Sequence, residues 1–128
     1  RYYNSSIDSS PNRTINTLKV FDKVILIAGG YDKKIPFDEF GEVINDRVKK
    51  LVLVGLTSEK IEAAVKSAKN YVNLPIFKET DFEQAVKTAR DCAEDGDVVI
   101  LSPACASFDL FKNFEVRGNK FKEIVLGF

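Results

Sequence analysis

Apolar positions along this chain follow two alternating rhythms. Val24 to Ala28 (VILIA), Leu51 to Val54 (LVLV) and Asp97 to Leu101 (DVVIL) are short, nearly continuous apolar runs, as expected of strands covered on both faces. Between them the apolar residues recur at helical spacing. Phe40, Val43, Ile44 and Val48 predict an amphipathic helix over 38–48, and Ile61, Ala64, Val65, Ala68 and Val72 predict a second. A third carries Phe82, Ala85, Val86 and Ala89, and a last carries Phe121, Ile124 and Val125.

Local signals punctuate that pattern. Tyr2-Tyr3 suits a short opening strand, and Ser10 suits an N-cap before Pro11 in the first turn of a helix running through Thr14 to Leu18. Pro75 breaks the chain before a brief strand at Ile76-Phe77, and Thr80 with Glu83 reads as a capping box. Gly29-Gly30 and Gly55 close strands, and Gly96 fits a helix terminator. Strands alternating with helices predict an α/β fold: one domain over 1–128, with a mostly parallel sheet of about five or six strands and helices on both faces.

Composition narrows what such a domain can do. The 128 residues are 45% hydrophobic and 30% charged, enough for one core that buries roughly two-thirds of the unfolded surface. Nineteen basic residues balance nineteen acids, so neither nucleic acid nor an anionic bilayer is an expected partner. No apolar run reaches the roughly 20 residues of a bilayer span, and the two cysteines, Cys92 and Cys105, fit a reducing compartment. A soluble, cytoplasmic domain is expected. With no histidine, this chain alone cannot build a Ser-His-Asp triad, a Cys-His pair or a His-ligated zinc site. It has no methionine and opens on a strand, which suits a domain excised from a longer protein; processing of a small complete protein is the alternative.

In sheets of this kind ligands sit at the carboxyl ends of the strands, which selects four loops: Gly29–Lys34 (GGYDKK), Gly55–Ser58 (GLTS), Lys78–Thr80 and Ser102–Phe108 (SPACASF). In the first, paired glycines let the backbone approach a ligand while Lys33 or Lys34 offers a cation to a carboxylate or phosphate; a turn with solvated lysines is the plainer reading. It is neither a P-loop nor a dinucleotide fingerprint. In the last, small residues leave room beside the backbone, and Ser107 offers a hydroxyl and an amide near a helix start, a natural place for an anion. Cys105 has no histidine to activate it, so small buried residues are the better reading of both cysteines. Phe108, Phe111 and Phe114 recur every third position, as core residues do, and Phe114 could also wall a site. Asn113, Glu115 and Arg117 suit a solvated helix face, and Gly118 a close helix crossing.

The strings LSPACASFDLFKNFEVRGNKF, YYNSSIDSSPNRTI and ILIAGGYDKK closely resemble the C-terminal domain of the D-glutamate-adding branch of the Mur ligases, over about Tyr2 to Leu126. The resemblance implies a Rossmann-like, doubly wound domain of a three-domain cytoplasmic enzyme of peptidoglycan synthesis. ATP and Mg2+ would serve the full enzyme, mainly at a central domain outside this chain, with none expected bound to this fragment. A carboxylate activated as an acyl phosphate would be attacked by the amine of D-glutamate. By the same resemblance Lys33 pairs with a D-glutamate carboxylate, and Ser107 and Phe108 hold the side-chain carboxylate. Phe114 walls the site, and Ser9 supplies a further hydroxyl. Ser5 stands where the family usually carries an acid that contacts the ATP ribose; being neutral and shorter, it weakens that nucleotide contact. The implied partners are D-glutamate and the protein's own N-terminal and central domains, in a monomer, and the fragment alone would be inactive.

Two other classes fit a doubly wound fold: a signalling module of receiver type and a structural interaction domain. A receiver needs clustered acids at strand ends, whereas Val54-Gly55 and Phe77-Lys78 close the second and third full strands here.

Overall fold

A computed structural model of the chain describes residues 2–6, 10–30, 37–55, 57–104 and 113–128. Ten elements follow in order: β1 (Tyr2–Asn4), α1 (Pro11–Leu18), β2 (Val24–Ala28), α2 (Asp38–Arg47), β3 (Val48–Val54), α3 (Ser58–Ser67), β4 (Ile76–Glu79), α4 (Phe82–Cys92), β5 (Val99–Leu101) and α5 (Phe114–Leu126). The strands form one parallel sheet in the order β1-β5-β2-β3-β4.

Side-chain alternation along the central strands divides the core in two. Leu26 and Ala28 of β2, with Leu51 and Leu53 of β3, face Ile15 and Leu18 of α1, Phe40 and Ile44 of α2, and Ile61 and Val65 of α3. Ile25 and Ile27, with Val52 and Val54, face Phe82, Ala85 and Val86 of α4 and Phe121 and Ile124 of α5. The division follows from topology. From β2 to β3 to β4 the chain steps one way across the sheet, and from β4 to β5 it steps back. Crossovers of a single hand then put α4 on the face opposite α2 and α3. Each fully buried Leu, Ile or Phe contributes about 1.5–3 kcal/mol.

Several boundaries depart from the sequence expectations for identifiable reasons. The second helix stops at Arg47, and β3 begins at Val48 with no intervening loop. Val24 pairs with Val48 but Ile25 with Lys50, so Lys49 is an extra residue in a bulge. The bulge explains how Val48 and Leu51, three apart, lie on one face. The stripe expected to continue through Val72 ends at Ser67, and Val72 is 81% exposed. Asn70 is held to the middle of α2, giving Nδ2–H to Glu42 O at 2.9 Å, which draws the chain off the helix axis.

The cap of α4 is Asp81 and not Thr80; its carboxylate accepts the Gln84 N–H at 3.3 Å. Gly96 does not end α4, which stops at Cys92. It lies at φ +89 in the turn closed by Asp97 N–H to Glu94 O at 3.0 Å, so β5 begins at Val99 rather than Asp97. Ser10 caps α1, with Pro11 as its first residue.

Candidate functional site

The carboxyl ends of the strands are level. Asn4 and Ile27 both pair with Leu101, Ala28 with Leu53, and Val54 with Glu79. Because β5 sits between β1 and β2, strand order reverses at the β5/β2 boundary. The connection after β2 leads to the α2 face and that after β5 to the α5 face, which opens a crevice between them.

The roots of those two connections touch. Gly29 N–H donates to Pro103 O at 2.8 Å, extending the β2–β5 ladder past the Ser102 N–H to Ile27 O bond at 3.2 Å. Gly29 has φ +122, and a Cβ there would lie 1.9 Å from Val54 O, so only glycine lets β2 leave the sheet this close to β3. Ala104, buried at the root of the β5 connection, has φ +66, a left-handed conformation that costs a non-glycine residue about 1–3 kcal/mol. Across the rim, Gly30 N–H reaches the Thr57 hydroxyl at 3.1 Å, and that hydroxyl lies 3.2 Å from Gly30 O. On the other side of the crevice, Ser102 Oγ–H donates to Thr14 Oγ1 at 3.0 Å and Thr14 Oγ1–H to Ser102 O at 3.2 Å, fixing α1 to the end of β5.

A second set of bonds ties the exit of β1 to the start of α5. Asn113 caps α5, accepting the Val116 N–H at 2.9 Å. Arg117, expected on a solvated face, is 2% exposed: its Nε–H donates to Ser6 Oγ at 3.0 Å and its Nη2–H to Ser6 O at 2.5 Å. Ser6 Oγ–H in turn donates to Phe114 O at 2.6 Å. Asn4 Nδ2–H donates to Gly118 O at 2.9 Å, and a Cβ on Gly118 would lie 3.1 Å from that of Ser6, so the close crossing expected at this glycine is present.

Of the residues singled out from the sequence, Ser9, Lys33, Lys34, Ser107, Phe108 and Phe111 lie outside the described residues, as does Cys105. What the structure gives for them is their flanks. Gly30 precedes Lys33 by three positions and Pro103 precedes Ser107 by four, and these two flanks are joined through Gly29. Ser6, just past β1, and Ser10, the cap of α1, flank Ser9 in the sequence. Phe114 is the first residue of α5 and 37% exposed. Ser5 is half-buried and closes the β1/β5 ladder, its N–H donating to Leu101 O at 2.7 Å.

In the remaining candidate loop the Lys78 ammonium is already paired, and Glu79 accepts the Thr88 hydroxyl at 3.0 Å. Lys78 binds Glu62 Oε1 at 2.9 Å while Lys66 takes Oε2 at 3.1 Å. These bonds hold the Glu62 carboxyl below the usual carboxylate range and the Lys78 ammonium above its ordinary value. Cys92 is half-buried and its thiol is pushed up by burial, which makes it a poorer nucleophile. No group of three or more His, Cys, Asp or Glu among the described residues could hold a metal ion, and none of their helices is long and apolar enough to cross a membrane.

Sequence reasoning missed Arg117, Thr57 and Thr14. An arginine in a polar Asn-Phe-Glu-Val-Arg string carries no sign of burial by itself. A threonine two positions beyond a strand-ending glycine was the available signal for Thr57.

A family model described as the Mur ligase glutamate ligase domain matches residues 7–105. The UDP-N-acetylmuramoylalanine--D-glutamate ligase of Clostridium novyi (strain NT) is 57% identical over 128 residues. Proteins of the same name from Acetivibrio thermocellus and Clostridium perfringens (strain 13 / Type A) are 60% and 52% identical over 131 and 128 residues. Each alignment takes in 98% of this chain and 28% of the relative, so the chain spans under a third of the length of the proteins it matches.

Proposed function

Because this chain belongs to the glutamate ligase domain family of the Mur ligases, we propose that it is the amino-acid-binding domain of an ADP-forming ligase joining D-glutamate to UDP-N-acetylmuramoyl-L-alanine. The observation that carries the reading is the Gly29 N–H to Pro103 O bond at the strand-order reversal. It joins the root of the Lys33 loop to the root of the Ser107 loop, which supports a reading in which a cation and a set of hydrogen-bond donors serve one crevice.

Their chemistry suits a small diacid. The Lys33 ammonium pairs with one carboxylate; the Ser107 hydroxyl and Phe108 N–H hold the other; Ser9 adds a hydroxyl; and Phe114 shields one side, strengthening each bond by excluding water. Held at both ends, the substrate presents its amine in one direction. As that nitrogen attacks an activated carbonyl, the C–N bond forms, the bond to the leaving oxygen breaks and the amine sheds a proton. Pre-orientation of this kind contributes on the order of 7 kcal/mol or more to lowering the barrier.

In this reading ATP and Mg2+ are held mainly outside this domain, in keeping with a sequence that has no P-loop and a neutral Ser5. Nucleotide chemistry belongs to the protein's own central domain and the nucleotide-sugar precursor to its N-terminal domain, in a cytoplasmic monomer. In the full-length enzyme, Lys33→Ala is expected to raise KM for D-glutamate by about tenfold or more, the size of one charge-assisted hydrogen bond, and to leave KM for ATP within about twofold. Steady-state kinetics checks this; unchanged D-glutamate kinetics removes Lys33 from the site.

A further inference from the structure

The geometry points to Thr57 as a positioning residue for the amino-acid site, acting on the loop that carries Lys33; this rests on the reading above. Thr57 is fully buried at the N-cap of α3. A threonine there ordinarily turns its hydroxyl onto its own helix, accepting an N–H of the first turn. Thr57 makes no such bond. Its hydroxyl crosses instead to the next strand exit, accepting Gly30 N–H at 3.1 Å and donating to Gly30 O at 3.2 Å. A single side chain thus satisfies both backbone groups of one residue.

Its own base is fixed. Ile61 N–H donates to Thr57 O at 3.0 Å, opening α3, and Ser58 Oγ–H donates to Gly55 O at 3.0 Å across the turn before it. Gly30 is bound to this base on one side, while its neighbour Gly29 is bound to Pro103 on the other. The glycine pair has no side chains to pack, and at φ +122 and +151 it lies in backbone regions a glycine enters at no steric cost, so hydrogen bonds set its path. That path fixes the point from which the chain leaves Gly30. The helix forgoes its cap so that the glycine pair has one conformation, a trade that concerns the Lys33 loop rather than α3.

The test uses the full-length enzyme with Thr57→Val, which keeps the branched shape and removes the hydroxyl, Thr57→Ser, which keeps the hydroxyl, and Lys33→Ala as reference. Thr57→Val is expected to raise KM for D-glutamate about tenfold and leave KM for ATP within about twofold, and Thr57→Ser to return KM for D-glutamate to within about twofold of the parent. Amide exchange at Gly30 should quicken in Thr57→Val and recover in Thr57→Ser. A role confined to folding would lower the melting temperature and the active fraction without separating the two KM values. If Thr57→Val does not accumulate folded, Thr57→Ala takes its place with the same expectation. The inference is overturned if Lys33→Ala raises KM for D-glutamate while neither Thr57→Val nor Thr57→Ala does. If Lys33→Ala leaves that KM unchanged, the binding reading fails, and this inference with it.

Discussion

The two ends of the sheet are built from different chemistry. At the carboxyl end, neutral bonds join hydroxyls and amides to backbone: Thr57 to Gly30, Gly29 to Pro103, Ser102 to Thr14, and Ser6 to Phe114. The buried Arg117 guanidinium gathers Ser6 among them. At the amino end the bonds are ionic or lie near solvent. Lys49 pairs with Asp97 at 2.7 Å beside the bulge, and Lys50 binds the carbonyl of Cys92. An open groove of roughly 580 Å3 runs between Lys23, Asn45, Lys49, Asn70 and Leu74. Asn45 Oδ1 there is buried without a hydrogen-bond partner among the described residues. Around the β5/β2 crevice the pins are mostly neutral bonds that salt and pH barely disturb; the amino end leans on charges that salt screens and acid disturbs. A crevice that must hold donors to within a fraction of an ångström is better served by the first kind.

The sharpest way to break the contrast is at Gly29. Gly29→Ala brings a methyl to 1.9 Å from Val54 O at φ +122, and relief requires the exits of β2 and β3 to part. Loss exceeding about 4 kcal/mol is expected, read as failure to show a cooperative urea transition. Arg117→Met comes next. It keeps a long apolar stem but withdraws the donors from Ser6, and about 2–4 kcal/mol of destabilisation is expected by urea melting.

The amino end should respond least at neutral pH and most in acid. Asp97 is held below the usual carboxylate range, first by the Glu94 N–H and then by the Lys49 ammonium. A carboxyl whose folded pKa is depressed adds stability above its unfolded pKa of about 3.9 and loses it as pH falls through the folded value. Asp97→Asn should therefore lower the melting temperature slightly at pH 7 and flatten its fall below about pH 4. An unchanged acid slope would assign that fall to other carboxyls.

The alternation of apolar runs with helical stripes made the layers and the parallel sheet legible, because continuous burial in β2 and most of β3 and one-sided burial in α2 to α5 leave a direct trace in residue type. Helix and strand ends were less legible. Thr80 and Asp81 are both good caps, and only the backbone, extended at Asp81, decides between them. The bulge at Lys49 has no signature in Arg47-Val48-Lys49-Lys50, since it is fixed by pairing with β2. Of the site, the loops could be read from their glycines and small residues, but the bonds that aim them could not. Arg117 and Ser6 are far apart in sequence and meet only because β1 pairs beside β5, a long-range fact that local spacing does not carry.

That pairing also bears on how the domain is made. Tyr2, Tyr3 and Asn4 pair only with Val99, Ile100 and Leu101, while β2–β3 and β3–β4 join strands made in succession and β2 keeps its other edge for β5. On a ribosome the central strands can zip up as they emerge, yet the first strand waits for nearly the whole chain. Docking of β5 is then the step that both completes the sheet and recruits its opening residues, and a stall before Val99 would leave β1 without its partner.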